Sequence, residues 1–255
     1  MLRLARTNPH LRDKRIRLDE KTHAYSVDGK TGFISITSLV AKYFKPFEKE
    51  RAALSVVRKG TDQAYQHINR SDEHQAVLEV MHMWEEAALL GTELHSYIEY
   101  EYNQASPIAL NPILNEEKRR FLLFKRAYEN LGYRPYRTEW LVFDEELGIA
   151  GCIDMVFKHS LNQTYHIIDW KRTKKIRREG YNGQMGSPPC HTLPDCNMSK
   201  YTLQLNFYKY ILRKRYGIMI ESMKLVVFHA QNHRGTLIYE VPNKQDIIAA
   251  ILGVD

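Results

Sequence analysis

The chain has 255 residues, 44% of them hydrophobic, with 37 Lys and Arg against 30 Asp and Glu and a formal net charge of +7. That is enough apolar material for one sizeable core, and the basic balance favours a polyanionic partner. Three cysteines (Cys152, Cys190 and Cys196) without paired spacing exclude a disulfide framework and point to a reducing, intracellular compartment. No run of 18 apolar residues is present, which excludes a transmembrane helix and a membrane partner.

The opening stretch, MLRLARTNPHLRDKRIR, is basic and lacks the apolar centre of a secretory signal. It reads as an arm on a DNA backbone or as an inert terminus; Asp13 and the lack of serine argue against a mitochondrial presequence. A short β section is expected over residues 24–36, interrupted by a DGKTG turn. Thr37 or Ser38 then caps a short helix, and a second helix covers 47–58. Residues 72–102 hold no proline and one glycine, so a long helix is predicted there. Gly91 costs it about 1 kcal/mol against alanine, a cost that close approach of the sheet or of DNA would explain.

A further helix spans 115–131 and stops at Gly132 as a C-cap. Strands follow over 136–143, 149–158 and 164–171, then a helix over 199–216 closed by Gly217. Strands over 223–230 and 236–241 and a helix over 243–252 complete the chain. The order predicts an α/β fold in which a mixed sheet is flanked by helices. An accessory β/helical region is expected over 1–70 and the core over 71–255, the two forming one compact unit. The Gly-, Pro- and Asn-rich segment 180–199 reads as a mobile lid or strand-guiding loop beside the site, with plain disorder as the alternative.

Two of the strands break the rule that buried strand positions are apolar. GIAGCIDMVFK carries Asp154, and YHIIDWKRTKK carries Asp169 with Lys171 two residues on. Alternation puts Asp169 and Lys171 on one face, and the polar HSLNQT segment reads as a hairpin turn centred near residue 161. Folding there places Asp154 opposite Ile168, one residue from Asp169. Burying two carboxylates costs several kcal/mol each unless they are compensated, so a divalent metal with a lysine beside it is the expected use. Mg²⁺ takes one or two carboxylates, water and substrate phosphate, which suits phosphodiester hydrolysis. The Trp170 carbonyl lies between Asp169 and Lys171 and is placed to reach such a metal.

These residues, Asp154 and then Asp169-Trp170-Lys171, resemble the core of the PD-(D/E)XK nuclease superfamily, with the restriction-endonuclease-like fold that it implies. Gly91-x₃-His95-x₃-Glu99, Glu139 before the hairpin and Gln204-x₃-Tyr208 after it are similar to the RecB-like branch. The chain is also similar to nucleases of large DNA viruses and to mitochondrial genome maintenance exonucleases. Ile153 stands where the family name has proline, and Asp169 where it often has Glu.

The resemblance implies Mg²⁺ or Mn²⁺ held by His95, Asp154, Asp169 and the Trp170 carbonyl, with Lys171 catalytic. Glu99, Glu139, Gln204 and Tyr208 would support the centre or touch substrate. It implies an exonuclease acting on single-stranded or duplex DNA ends, in replication or repair, with a viral protein in a host cell as one setting. Some RecB-like nucleases carry a four-cysteine iron–sulfur cluster, which three cysteines do not supply. The basic run after the hairpin is expected to line the phosphate path through Arg172, Thr173, Lys174, Lys175, Arg177 and Arg178. Trp84, Trp140, Tyr181 and Tyr201 are candidates for stacking on bases.

Each residue has a plainer use. The aspartates could be buried ion-pair partners, His95 and Gln204–Tyr208 packing groups, and the basic run a solvated segment. The alternative functions are a structure-selective or site-specific endonuclease and, in another class, a catalytically silent DNA-binding module.

Overall fold

In a computed structural model describing residues 2–105 and 109–254, the chain begins with α1 (Arg3–Thr7), β1 (Ile16–Asp19), β2 (Ala24–Val27) and β3 (Lys30–Ser35). Next come α2 (Ile36–Ala41), α3 (Lys49–Lys59), α4 (Glu73–Asn103) and α5 (Asn115–Asn130). The central hairpins are β4 (Tyr133–Asp144), β5 (Ile149–His159) and β6 (Tyr165–Lys171). The chain closes with α6 (Asn197–Tyr216), β7 (Ile220–Val227), β8 (Leu237–Glu240) and α7 (Gln245–Leu252).

The fold is α/β, with an eight-stranded mixed sheet. β5 pairs antiparallel with β4 along nearly its whole length. Its other edge is shared. β3 pairs parallel with Ile149 and Ala150, and β6 pairs antiparallel with residues 155–158. Residues 151–154 therefore lie at a fork, where one neighbouring strand has left and the next has just joined. Asp154 sits at that fork. The sheet continues from β6 to a parallel β7 and an antiparallel β8.

Apolar residues alternate onto both faces of the sheet. One face packs α2, α6 and α7 through Ile36, Val40, Leu203, Phe207, Ile211 and Ile248. The other is aromatic: Tyr102 of α4 and Phe121 and Phe124 of α5 meet Trp170 with ring centroids 5.6–6.4 Å apart. Gly217 caps α6 in the left-handed conformation at φ 67°, as its position after the last apolar turn predicts.

Several boundaries differ from expectation. Ser35, rather than Thr37 or Ser38, caps α2 by accepting the Ser38 backbone N–H at 3.0 Å. The N-terminal segment is folded into the domain rather than a free arm: α1 and β1 are structured. Leu4 N donates to Asn103 Oδ1 at 2.9 Å, and Asp13 accepts from both Arg137 and Trp140. No apolar periodicity announces such short elements; polar anchors hold them.

The chain divides into a unit of Met1–Lys45 with Leu94–Asp255 and a second unit of Pro46–Glu93, so the expected boundary at residue 70 falls inside the second unit. That unit has its own small core of Ala53, Val57, Ile68, Ala76, Val77 and Val80. Arg58–Glu73 and Lys49–Glu85 pairs lie on its surface. Within it, Trp84 Nε1 donates to Tyr65 Oη at 2.8 Å, so that polar edge is engaged internally. A Cβ added to Gly91 would meet nothing within 4 Å, so close packing does not account for this glycine.

The 180–199 segment is not disordered. Leu193 and Cys190 join the main core, Gly186 N donates to Leu193 O at 2.9 Å, and Lys45 N donates to Asp195 Oδ2 at 3.0 Å. Among the described residues, no helix is long and apolar enough to cross a membrane.

Candidate metal centre

The hairpin register sets the site. Met155 pairs with Ile168 and Val156 with Ile167, so continuing one step places Asp154 opposite Asp169 rather than opposite Ile168. The difference is one residue, and in a strand one residue exchanges faces. In the observed register both carboxylates project from the same face. Asp154 also clamps the hairpin end, since its Oδ2 accepts the Trp170 backbone N–H at 2.9 Å.

His95, on the last part of α4, meets the same point. Its Nε2–H donates to Trp170 O at 3.0 Å, and its Nδ1 lies 3.6 Å from Asp154 Oδ2. A carbonyl only accepts, so Nε2 carries the hydrogen it donates, and Nδ1 is the ring nitrogen turned to the Asp154 carboxylate. With Nδ1 free of hydrogen, that nitrogen and the Asp154 carboxylate offer two donor atoms to one cation. The Trp170 carbonyl, expected to face a metal, is here the partner of His95.

Glu139 completes the cluster. Thr138 pairs with Met155 and Trp140 with Ile153, which leaves Glu139 facing Asp154 across the two strands. One ligand atom from each of His95, Glu139 and Asp154 lies within 4.8 Å of the others. The Glu139 backbone is left-handed at φ 41°, a conformation that costs a non-glycine residue about 1–3 kcal/mol and collects at functional sites. Burial first, and then the Asp154 charge, push its carboxyl far above the usual range, to about 8. Cys152 opposes that shift by donating Sγ–H to Glu139 Oε2 at 3.2 Å. An imidazole nitrogen and two carboxyl groups at this spacing form a donor set suited to a divalent cation.

Asp169 lies beside this group and outside it. It is buried, and its Oδ2 pairs with Lys171 Nζ at 2.5 Å. Burial raises its carboxyl, Lys171 pulls it down and Asp154 pushes it up again, for a net rise to about 6. Burial works against the Lys171 ammonium, but the Asp169 and Asp154 charges outweigh it and hold its pKa above the ordinary lysine value. The ammonium also lies 4.6 Å from the centroid of the Tyr201 ring, a second contact that orients this long side chain.

Gln204 Nε2 donates to Asp169 Oδ1 at 3.4 Å and to Tyr208 Oη at 3.3 Å, so the Gln-x₃-Tyr pair braces Asp169 one helical turn apart. Tyr208 is buried, with its ring edge against Gly151. Glu99 is half-buried near Glu139. Burial, then Glu20, raises its carboxyl, and among the described residues no hydrogen bond joins it to His95.

The basic run separates into two groups. Arg172 does not line a phosphate path. It turns inward, with 10% of its side chain exposed, and pairs through Nε with the fully buried Glu117 at 3.2 Å. Leaving Glu117 unpaired in the interior would be costly, and that cost draws Arg172 in. Lys174, Lys175, Arg177 and Arg178 are exposed, while Thr173 Oγ1 donates locally to Lys175 O at 3.3 Å. Trp140 is 1% exposed and belongs to the core, so it cannot stack on a base; Tyr181 is 58% exposed. The sequence gives no sign of the tie between Cys152 and Glu139 or of Glu117 as a buried acid. Tyr201 lies one turn before Gln204, and that spacing does place it on the same helix face.

No protein-family model and no curated protein matches this chain. Among solved structures, one titled "Crystal structure of SSO0001" is 16% identical, covering 86% of this chain and 71% of that one at a TM-score of 0.37. A likeness of that size carries no argument about function.

Proposed function

We propose that the protein is a divalent-metal-dependent DNA nuclease, similar to the RecB-like PD-(D/E)XK enzymes and most simply an exonuclease. One observation carries this reading: a His95, Glu139 and Asp154 cluster within 4.8 Å, with the Asp169–Lys171 pair beside it across the fork of the sheet. A structural ion pair needs two opposite charges. Three carboxylates and an imidazole around one lysine leave negative charge that a cation would offset.

His95, Glu139 and Asp154 would hold Mg²⁺ or Mn²⁺. When bound, such a cation supplies positive charge to phosphoryl oxygens and acidity to a water. Lys171, kept protonated by Asp169, places a positive charge where negative charge grows during phosphoryl transfer. Asp169 holds that ammonium in place and is itself held by Gln204. Tyr201 limits the lysine to one side. Preference for free ends and for DNA rests on the resemblance, which no relative tests.

Lys171→Ala is expected to bind DNA and fail to cut it, while Asp154→Ala loses cleavage together with its dependence on Mn²⁺. Cleavage near the wild-type rate by either variant would sink the reading.

A further inference from the structure

We propose that the cleft at the start of α6 is a phosphate subsite, holding the nucleic-acid strand a short distance from the cutting centre. The inference rests on the nuclease reading above and adds to it a binding determinant outside the cluster.

The cleft has a volume of about 300 Å³, and its lining includes Arg178, Lys244, Ser199, Thr202 and Glu240. Arg178 and Lys244 bring two positive charges to one concavity, and among the described residues neither forms an ion pair. The acid on the rim, Glu240, is engaged elsewhere, with Lys224 Nζ 2.9 Å from its carboxylate. The Arg178 guanidinium lies 5.4 Å from the centroid of the Tyr239 ring, a contact that orients the group while leaving its N–H edge free for an anion. Ser199 and Thr202 line it and are 6% and 3% exposed, so they belong to its floor rather than to the open surface; the Ser199 hydroxyl also shares a hydrogen bond of 3.3 Å with Cys196 Sγ. Two unpaired cations over a polar floor make a site for a phosphate oxyanion.

The position of the cleft relative to the centre follows from α6. Met198 N donates to Arg177 O at 3.1 Å, which pins the end of the basic run to the first turn of the helix. The same helix turns Tyr201 and Gln204 to Lys171 and Asp169, and Ser199 and Thr202 to the cleft. The two sites are therefore separated by about one helix width, roughly 10–12 Å. At that separation the cleft would meet a phosphate a few nucleotides from the one being cut rather than the scissile one. Exposed Lys174 and Lys175 lie on the chain between them.

The test is fluorescence anisotropy with a labelled oligothymidylate of about 12 nucleotides, titrated in EDTA over a range of salt so that binding is read without cutting. For the Arg178→Ala/Lys244→Ala variant, the slope of log K against log salt should fall by about 1.4, and affinity at low salt should fall about tenfold. Gln at both positions should give the same loss. Arg213→Ala/Lys214→Ala removes equal charge roughly 20 Å along the same helix and should leave the slope unchanged. An unchanged slope in the first variant, an equal loss in the second, or no binding by the wild type would overturn the subsite. Absence of cleavage by the wild type with Mn²⁺ is a separate result. It removes the nuclease reading, while the slope still decides the subsite.

Discussion

Gly151 is the position where a single methyl group reports on the geometry of the whole site. A Cβ built there would lie 2.7 Å from the Tyr208 ring and 3.0 Å from the Ile36 side chain, against 3.4 Å for an ordinary contact. The Ile36 terminus can rotate away. Tyr208 is buried and bonded to Gln204, so its ring must shift by about 0.7 Å or the strands must part. Overpacking of this kind costs about 1–3 kcal/mol. For a chain of this size that corresponds to a fall in Tm of roughly 3–10 °C. The assay is thermal or urea unfolding of Gly151→Ala in the wild-type and Tyr208→Leu backgrounds. The shorter leucine removes the colliding ring edge, so the glycine substitution should cost at least about 1 kcal/mol less there, a coupling of the size neighbouring residues show. The same cost in both backgrounds would refute the placement of Tyr208 under the fork, and with it the bracing of Asp169.

Three further outcomes follow from the site. Because burial and Asp154 raise the Glu139 carboxyl to about 8, the folded protein retains a proton that the unfolded chain releases near 4.5. Without a cation its stability should therefore fall between pH 4.5 and 8, and Glu139→Gln should flatten that fall in thermal scans. Mn²⁺ competes with that proton, so the gain in Tm on adding Mn²⁺ should be larger at pH 8 than at pH 5.5; an equal gain at both would contradict Glu139 as a ligand. Arg172→Ala strands the buried Glu117 and should destabilise by about 3–5 kcal/mol in urea unfolding, while the salt slope for DNA binding stays at its wild-type value.

The sequence made the sheet and the place of its buried charges readable because the relevant signals are local. Strand alternation, the turn residues and two aspartates in apolar runs are all properties of short windows, and they located β5, β6, Asp154, Asp169 and Lys171. Contacts set by tertiary packing were not readable. The hairpin register depends on which residue closes the turn, and a one-residue error there changes the neighbour of Asp154. Arg172 looks like its exposed neighbours in the basic run, and only the buried Glu117, distant in sequence, shows why it turns inward. Glu139 could be flagged as an acid before the hairpin, but its place opposite Asp154 follows from the pairing of β4 with β5, and no local rule predicts its left-handed backbone. The N-terminal elements are short and held by Asp13, Arg137 and Asn103, so apolar periodicity could not reveal them.

The most direct measurement is a cleavage assay with Mg²⁺, Mn²⁺ or EDTA on end-labelled single- and double-stranded linear DNA and on covalently closed circles. Loss of linear substrate with either cation, none in EDTA, and intact circles are expected of a metal-dependent exonuclease. Cut circles would move the protein to the endonucleases. Absence of product from every substrate, with DNA still bound, would contradict the account and leave a DNA-binding module that keeps the fold without the chemistry.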